Sequence, residues 1–303
     1  MAFNNSIAHA QKYAEVLDKQ VVQTAVTGFF ADNVLKAQFV GADTVLIPDM
    51  DFVGLGNYDR ESGFPEGKIT VAHTSYKLNQ DRGRELQLDR MDMDETGIAN
   101  LAGQTLKEFV RTEVVPEMDA YNLSKLAGVA TTNSNEKAFD ADKVFELFNA
   151  MTIGVQSVAG FSEELVCFVD PTAYAAMMNS PEITKSITVS DFKQGELNTK
   201  VKSINGVAII PVAADRMKTA YSFNAGSTGE AGGFTAASGA KNINMLVLPK
   251  TGASLVKKTE KLRIFEPDQN QSADAYLFQY RVYYDIFVKK SGLKHIYVAT
   301  SAQ

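Results

Sequence analysis

The sequence predicts a protein of the α+β class, in which helices and long strands share one body and a β-ribbon projects from it. Three observations support this class. Apolar side chains alternate along residues 276–288, which is the period of a strand buried on one face. From Ile98 to Val110 they recur at the spacing of one side of a helix. Residues 49–68 hold four glycines and a proline between two strand-like runs, which is typical of an extended ribbon.

The composition is that of a folded globular chain. Its 303 residues are 45% hydrophobic and 22% charged, which excludes a disordered or collagen-like protein and suggests about two domains. The formal net charge of -6 argues against a protein that grips nucleic acid through a broad basic surface. A single cysteine, Cys167, excludes a framework of internal disulfides. The sequence shows neither a membrane-spanning apolar run nor a signal-peptide pattern, so neither is expected.

The first ninety residues are predicted to form an arm and a ribbon. Residues 5–39 have apolar side chains at helical spacing and are expected to dock on another surface. Strands are predicted up to Pro48, over residues 69–78 and over residues 85–89, with a tight turn at residues 81–84. An isolated ribbon is marginally stable in water, so we expect another molecule to stabilise it.

A long helix and an alternating block of helices and strands are predicted next. Asp94 is expected to cap the long helix, Pro116 to kink or interrupt it, and Gly128 to end it. Asp140 and Asp170 are expected to cap two shorter helices. Three short apolar strands are predicted in this block: residues 165–169, 207–212 and 245–248.

The carboxyl-terminal part is predicted to be mainly β-structure. Residues 224–240, rich in Gly, Ala and Ser, are expected to form a mobile surface loop before it. Residues 253–265 and 276–288 are predicted strands, and the second would span about 40 Å. After a turn at Ser291, residues 295–299 are expected to pair back.

The densest polar cluster, residues 89–95, is the one candidate metal site. An EF-hand counted from Asp89 would need glycine where Asp94 stands and glutamate where Asn100 stands, so the spacing does not support calcium binding. A solvated strand-to-helix junction is the preferred interpretation. A third interpretation pairs these acids with arginines of a neighbouring subunit. The candidate interface residues are Arg60, Arg82, Arg84, Asp89, Asp92, Asp94 and Glu95.

The remaining chemistry-bearing residues suggest no catalytic, cofactor-binding or metal site. His9, His73 and His295 occur singly, and Cys167 lies in an apolar run where an inert buried thiol is expected. The sequence contains no nucleophile elbow, no phosphate-binding loop and no paired-cysteine motif. We therefore expect no enzymatic activity and no cofactor.

Four segments nevertheless form a recognisable series. They are YKLNQDRGR at residues 76–84, LDRMDMDET at 88–96, EVVPEMDAY at 113–121 and YRVYYDIFV at 280–288. Their sequence and order resemble the major capsid proteins of tailed bacteriophages, and the order of predicted elements matches the Hong Kong ninety-seven capsid fold over nearly the whole chain.

The resemblance implies a division of the chain into five parts. Residues 1–41 would be the amino-terminal arm and residues 42–90 the extended loop that lies across the adjacent subunit. Residues 91–130 would be the spine helix of the peripheral domain. Residues 131–252 would be the axial domain at the centre of a capsomer, and residues 253–303 would complete the peripheral-domain sheet.

The function implied by the resemblance is self-assembly. The subunits would form pentamers and hexamers of an icosahedral head that encloses double-stranded DNA, confined without specific binding. Scaffolding and portal proteins would be partners, no membrane would be involved, and the virion capsid would be built in the bacterial host cytoplasm. Two alternatives remain open: the shell of an encapsulin-like nanocompartment, and a metal-dependent enzyme that uses Asp89, Asp92, Asp94 and Glu95.

Overall fold

The computed structural model contains helices and strands in alternation. It describes residues 25–33, 38–41, 43–61, 63–91, 106–180, 187–194, 197–227 and 231–302. In these ranges the helices are α1 (Val115–Thr132), α2 (Val144–Ala159) and α3 (Pro171–Asn179). The first strands are β1 (Gln38–Val40), β2 (Thr44–Phe52), β3 (Ile69–Lys77), β4 (Gln80–Asp89), β5 (Glu136–Ala138), β6 (Leu165–Val169), β7 (Ile187–Gln194) and β8 (Leu197–Ile204). The others are β9 (Val207–Pro211), β10 (Tyr221–Phe223), β11 (Phe234–Ala236), β12 (Asn242–Pro249), β13 (Ser254–Phe265), β14 (Ala275–Phe287) and β15 (Tyr297–Ser301).

A seven-stranded sheet, in the order β5-β15-β12-β6-β9-β8-β7, forms the centre of the molecule. Its inner strands are buried on both faces. Val166 and Phe168 of β6 face a core that contains α1, whereas Cys167 and Val169 face a second core that contains α2 and α3. Because successive side chains of a strand point to opposite faces, a continuous apolar run is what such a two-sided burial requires.

A three-stranded antiparallel sheet, β13-β14-β4, covers the other side of α1. Tyr280, Val282 and Tyr284 of β14 lie in the same core as Leu123 of α1. The phenol ring of Tyr284 packs edge-on against Tyr121, with 5.9 Å between the ring centres. Helix α1 is therefore enclosed between two sheets.

The ribbon consists of β2 and β3, paired antiparallel from Thr44 opposite Lys77 to Phe52 opposite Ile69, with the short β1 alongside its inner end. Residues 85–89, predicted to return after a tight turn at residues 81–84, instead lie in β4 and pair with β14. The prediction of a turn at residues 81–84 is therefore wrong. Gly83 lies within β4, where an added Cβ would come within 2.9 Å of the Tyr280 carbonyl oxygen, so glycine there permits close strand approach.

Pro48 does not end β2. Among the described strands, only β3 pairs with β2 at Pro48, because β1 reaches no further than Leu46. Proline is tolerated in a strand where its nitrogen faces an unpaired edge. The ribbon therefore extends beyond the predicted end of its first strand, to Phe52.

The helix boundaries confirm some predictions and correct others. Pro116 lies in the first turn of α1, directly after a π-helical turn at Val110–Val114, which is the predicted interruption. Gly128 does not end α1, since burial of neighbouring apolar side chains outweighs its helix cost of about 1 kcal/mol. Asp170 caps α3 by accepting a 2.7 Å hydrogen bond from the Ala173 N–H. Asp140 does not cap α2, and Asp94 lies outside the described residues.

Two further expectations are corrected. Residues 297–301 do not pair back on β14: β15 runs between β12 and β5 in the central sheet. The predicted loop at residues 224–240 contains β11, which pairs with β10. Most of the predicted helical arm, residues 5–24 and 34–37, lies outside the described residues. In its described part, Gly28–Ala31 form a 3-10 turn whose Phe29 and Phe30 are buried beside Phe168 of the same chain. None of the described helices has the length and apolar character needed to span a membrane.

Candidate assembly surface

Exposed apolar side chains are concentrated on the ribbon. Phe64 is 87% exposed, and Leu55 has no contact that shields it. Nine of the thirteen large apolar side chains that are exposed in the described ranges lie on β1, the ribbon or its tip: Phe39, Val40, Phe52, Val53, Leu55, Tyr58, Phe64, Ile69 and Val71. A concentrated patch of this kind marks an interaction surface.

The tip of the ribbon, the loop between the end of β2 and the start of β3, is held by a backbone hydrogen-bond pair and an aromatic contact. Asp59 and Gly63 exchange two backbone hydrogen bonds of 3.1 and 2.8 Å, and Gly63 has a φ of 85°, which glycine adopts without strain. The rings of Tyr58 and Phe64 pack together with their centres 4.9 Å apart. The tip therefore presents an ordered aromatic pair to solvent.

The root of the ribbon, where it joins the body, is held by hydrogen bonds. The Tyr283 hydroxyl donates to the Leu78 carbonyl oxygen at 3.1 Å, and the Leu78 N–H donates to the Asp43 carbonyl oxygen at 2.8 Å. Val45 and Ile47 pack with Phe287 in a small apolar cluster beneath these bonds. The root is thus firmly attached, whereas the described side chains of the outer ribbon, such as Phe52 and Ile69, are exposed.

Asp285 connects the root to helix α1. This carboxylate is fully buried and accepts hydrogen bonds from the Asn79 N–H (3.2 Å), the Tyr121 hydroxyl (2.9 Å) and the Lys125 ammonium (2.5 Å). Burial and the adjacent carboxylate raise the pKa of the Tyr121 hydroxyl well above its ordinary value. Tyr121 therefore stays protonated and continues to donate to Asp285.

A second buried carboxylate, Asp119 of α1, holds the amino-terminal segment. It accepts hydrogen bonds from the Thr27 N–H (3.0 Å) and from the Thr27 hydroxyl (2.7 Å). It also forms an ion pair with Arg216 at 3.3 Å. Burial raises the pKa of the Asp119 carboxyl, against the opposing effect of the Thr27 hydrogen bonds. Neither Asp119 nor Asp285 is among the predicted site residues, because the sequence signal for each is only a single acid within an apolar stripe.

Arg82, a predicted interface residue, has its partners inside the chain. Its Nε and Nη2 bind the two oxygens of Glu117 at 2.5 and 3.1 Å, and its guanidinium also donates to the carbonyl oxygens of Asn224 (2.9 Å) and Gly233 (3.2 Å). The hydrogen bond to Glu117 raises the pKa of Arg82 further. Arg82 therefore attaches the loop before β11 to α1 and β4 within one subunit.

The other predicted interface residues do not form one cluster. Arg84 is exposed and lies against the backbone of Gly226 and Gly232, whereas Arg60 lies at the ribbon tip. Asp89 is exposed at the end of β4, where it accepts a 2.8 Å hydrogen bond from the Met91 N–H. Asp92, Asp94 and Glu95 lie outside the described residues. Their role at an interface stays a prediction.

The cysteine and the described histidines lie far from one another and form no common site. Cys167 is fully buried, and burial strongly raises the pKa of its thiol. His73 lies on the exposed ribbon, and burial lowers the pKa of His295, while His9 lies outside the described residues. Within the described ranges, no three His, Cys, Asp or Glu side chains are placed to hold a metal ion.

Comparison with known proteins gives structural matches alone. No family model and no curated protein matches the sequence. The capsid structure of cyanophage P-SCSP1u is similar with a TM-score of 0.54 and 13% identity, over 87% of this chain and 84% of that chain. The mature capsid of bacteriophage PhiM1 gives a TM-score of 0.53 and 13% identity, over 86% and 82% of the two chains.

A third solved structure, a virus-like particle from Pyrococcus furiosus, is similar with a TM-score of 0.52 and 9% identity. The match covers 95% of this chain and 98% of that chain. Matches at such low identity establish a shared architecture. The expectation from the sequence is therefore confirmed at the level of fold: this chain has the fold of phage capsid proteins.

Proposed function

We propose that this protein is the subunit of a closed shell, the major capsid protein of a tailed bacteriophage. Copies would assemble into pentamers and hexamers of an icosahedral head that encloses double-stranded DNA. The observation that carries this proposal is the ribbon, whose apolar side chains lie outside the body of their own subunit. The capsid fold shared with the phage structures agrees with it.

The physical argument concerns where the free energy of association arises. Permanent assemblies bury large apolar interfaces, commonly 2,000 Å² or more in total. A projecting ribbon supplies such an area without a larger core, because two strands with both faces open can be covered by another subunit. The ribbon would lie across the adjacent subunit, and its hydrogen-bonded root would set its direction.

The remaining parts of the proposal follow from the same role. An acidic subunit, with a net charge of -6, would confine packaged DNA rather than bind it tightly. Scaffolding and portal proteins would be its partners during assembly in the bacterial host cytoplasm. The function would be structural, with the virion capsid as its final location and with no part for catalysis.

Deletion of residues 57–67 tests the proposal. The deletion removes the tip and leaves Val53 to Gly56 and Lys68 between β2 and β3, a loop of about five residues that suits a hairpin. We expect the variant to remain folded, with circular dichroism and melting temperature close to those of the unmodified chain. Electron microscopy should show that it no longer forms closed shells, although the unmodified chain does.

Shells of normal size and yield from the deletion variant would contradict the proposal, because the ribbon would then be dispensable for assembly. Loss of the folded subunit would instead assign the tip to the stability of the monomer. Both results differ from the expected one, in which folding is kept and assembly is lost.

A nanocompartment shell is a second candidate function, favoured by the similarity to the Pyrococcus furiosus virus-like particle over 95% of the chain. The two functions share the subunit contacts and differ in the contents of the particle. Shells purified after co-expression with the neighbouring genes of the source genome should contain DNA if the protein forms a phage head. An enclosed enzyme without DNA would favour the nanocompartment.

A further inference from the structure

A cavity of ≈ 340 Å³ lies on the face of the β13-β14-β4 sheet that is turned towards α1, beside the π-helical turn Val110–Val114. Asn224 and Gly233, from the loop before β11, line a third side. The floor is built from apolar and aromatic side chains that pack with the core around α1: Leu86, Phe109, Val114, Tyr280, Val282 and Tyr284. Small-molecule sites in proteins are typically clefts of roughly 300–1,000 Å³ with such walls. The size and lining of this cavity are therefore those of a ligand site.

The aromatic floor is held in place by the strands that carry it. Tyr280 and Tyr284 of β14 are buried, and Tyr280 lies opposite Arg84 of β4. The Phe109 ring meets the Tyr280 ring edge-on, with 6.3 Å between the ring centres, and Phe109 is only partly buried. An apolar ring or chain that covers Phe109 removes this surface from water, which favours binding. The floor therefore suits a ligand with an apolar body.

Four charged side chains line the walls, and two of them neutralise each other. Arg82 and Glu117 are joined by two hydrogen bonds of 2.5 and 3.1 Å. Arg84 and Glu113 also line the cavity, and both are exposed. Among the residues that the structure describes, neither of these two forms an ion pair. The cavity thus contains one cation and one anion that a ligand can use.

Arg84 is positioned for this role by its strand and by two glycines. Because successive side chains of a strand alternate, Arg84 lies on the same face of β4 as Leu86, towards α1. A Cβ atom at Gly226 would lie 2.6 Å from Nη1 of Arg84, and one at Gly232 would lie 3.2 Å from it. The missing side chains leave the space in the cavity wall that the guanidinium occupies. Its planar fork can bind both oxygens of a carboxylate.

Glu113 is positioned by the π-helical turn. Phe109, Glu113 and Val114 line the cavity and lie in this turn or directly before it. Turns of this kind are rare and occur frequently at functional sites. The carboxylate of Glu113 can accept charge-assisted hydrogen bonds from an ammonium group. The two available charges therefore lie on different walls, Arg84 on the sheet and Glu113 on the helical turn.

We propose that the cavity binds a small zwitterion with an apolar body, which is the chemistry of an aromatic amino acid. Arg84 binds the carboxylate of the ligand, Glu113 binds its ammonium group, and the floor at Phe109 receives its ring. The site does not depend on the proposed shell function, because every residue that forms it belongs to one chain.

Three compounds with the same ring separate the contributions of the two charges. Phenylalanine carries both charged groups, phenylpropionate lacks the ammonium group and phenethylamine lacks the carboxylate. Isothermal titration calorimetry of the full chain near neutral pH measures their affinities. Phenylalanine should bind about tenfold more tightly than either of the other compounds, because it alone makes both charge-assisted contacts.

Two substitutions should act on different compounds. Arg84→Ala should weaken the binding of phenylalanine and phenylpropionate about tenfold and change that of phenethylamine by no more than about twofold. Glu113→Gln should weaken the binding of phenylalanine and phenethylamine about tenfold and change that of phenylpropionate by no more than about twofold. Val114→Trp should abolish the binding of all three compounds, because its larger side chain fills the cavity.

The matched control is Arg263→Ala, which removes an exposed cation of the same sheet that does not line the cavity. All three affinities should stay within about twofold in this variant. Circular dichroism should show that the variants are folded, since the changed side chains are exposed or half-buried. If Val114→Trp does not fold, the contrast between Arg84→Ala and Glu113→Gln still decides the outcome.

Three results would overturn the proposal. Equal affinities for the three compounds, or affinities that Arg84→Ala and Glu113→Gln leave unchanged, would show that the compounds bind elsewhere through apolar contacts. Binding that does not saturate would mark them as adventitious additives only. Binding to unassembled subunits that is lost in assembled particles would make the cavity a contact between subunits. The shell function fails separately: a chain that stays monomeric would refute it and leave the binding results as predicted.

Discussion

Strands β12 and β3 are of similar length, yet they lie in opposite surroundings. β12 has a neighbouring strand on each side and a packed layer on each face, so that seven of its eight residues are buried. Among the strands that the structure describes, β3 has one neighbour, and its outer residues are exposed on both faces, including Ile69 and Val71. Apolar residues thus serve the folding of one chain in β12, and in β3 they remain available for contacts between chains.

The comparison separates two kinds of stability. The central sheet and α1 bury their apolar surface when a single chain folds, which is the main favourable term in folding. The ribbon can gain the same kind of free energy when a second molecule covers it. Substitutions in the two regions should therefore affect different measurements, and this expectation can be tested.

The largest expected effect on unfolding contrasts two phenylalanines. Phe168 of β6 is fully buried in the core, where its ring lies beside those of Phe29 and Phe30. Phe64, in contrast, is exposed on the ribbon tip. Phe168→Ala should lower the free energy of unfolding by about 3–5 kcal/mol through lost burial and a cavity. Phe64→Ala should change it by no more than about 0.5 kcal/mol while reducing assembly. Urea denaturation of the isolated subunits measures the free energy of unfolding of both variants.

Equal destabilisation by the two alanine substitutions would contradict the comparison, since it would place Phe64 in a folding core. Normal assembly of Phe64→Ala at several protein concentrations would show instead that the aromatic pair at the tip contributes little to contacts between subunits.

The next effect concerns two arginines of β4. Arg82→Ala should lower the free energy of unfolding by about 2–3 kcal/mol, because it removes charge-assisted hydrogen bonds and leaves Glu117 half-buried without its partner. Arg84→Ala, two residues along the strand, removes an exposed side chain and should change it by at most about 0.5 kcal/mol. Thermal melting distinguishes them, and an equal loss in both variants would contradict the assignment of Arg82 to the inside of the subunit.

The smallest effect is a pH dependence at the edge of the central sheet. Glu136 of β5 accepts hydrogen bonds from Lys241 (2.7 Å) and Thr300 (2.6 Å), which lower the pKa of its carboxyl below the ordinary 4.5. A lowered pKa in the folded state means stabilisation that is present above pH 4.5 and lost as the pH falls through the folded value. Glu136→Gln should cost less than about 1 kcal/mol at neutral pH, because the pair is near solvent.

The measurement for this variant is the unfolding free energy of both chains as a function of pH. The difference between them should shrink as the pH falls below 4.5. A difference that stays constant across that range would show that ionisation of Glu136 does not contribute to stability.

Local patterns predicted the elements better than their partners. The period-two run at residues 276–288 identified β14, and Asp170 before Pro171 identified the start of α3, because both signals lie within a few residues. The pairing of β4 with β14 joins residues almost two hundred positions apart, and a neighbouring hairpin was the simpler expectation. β4 belongs to the β13-β14-β4 sheet and not to the ribbon, because its Leu86 and Leu88 pack against the core beside β14.

The candidate surface was predictable in outline. The glycines and the proline of residues 49–68 indicated a projection without a core, and the exposed apolar side chains agree with this. The burial of Asp119 and Asp285 was not predictable, because an acid in an apolar stripe has no local sign of the donors that approach it from other elements. The same reason explains why Arg82 was expected at an interface.

The attachment of the ribbon through Asp285 and Tyr283 has a consequence far from these residues. A lever about 30 Å long converts a rotation of roughly 10° at its fixed end into a displacement of about 5 Å at its free end. Small changes in the hydrogen bonds around Asn79 and Leu78 would therefore alter where a neighbouring copy is held. The curvature of a particle built from this chain would therefore depend on a few polar atoms at the root of the ribbon.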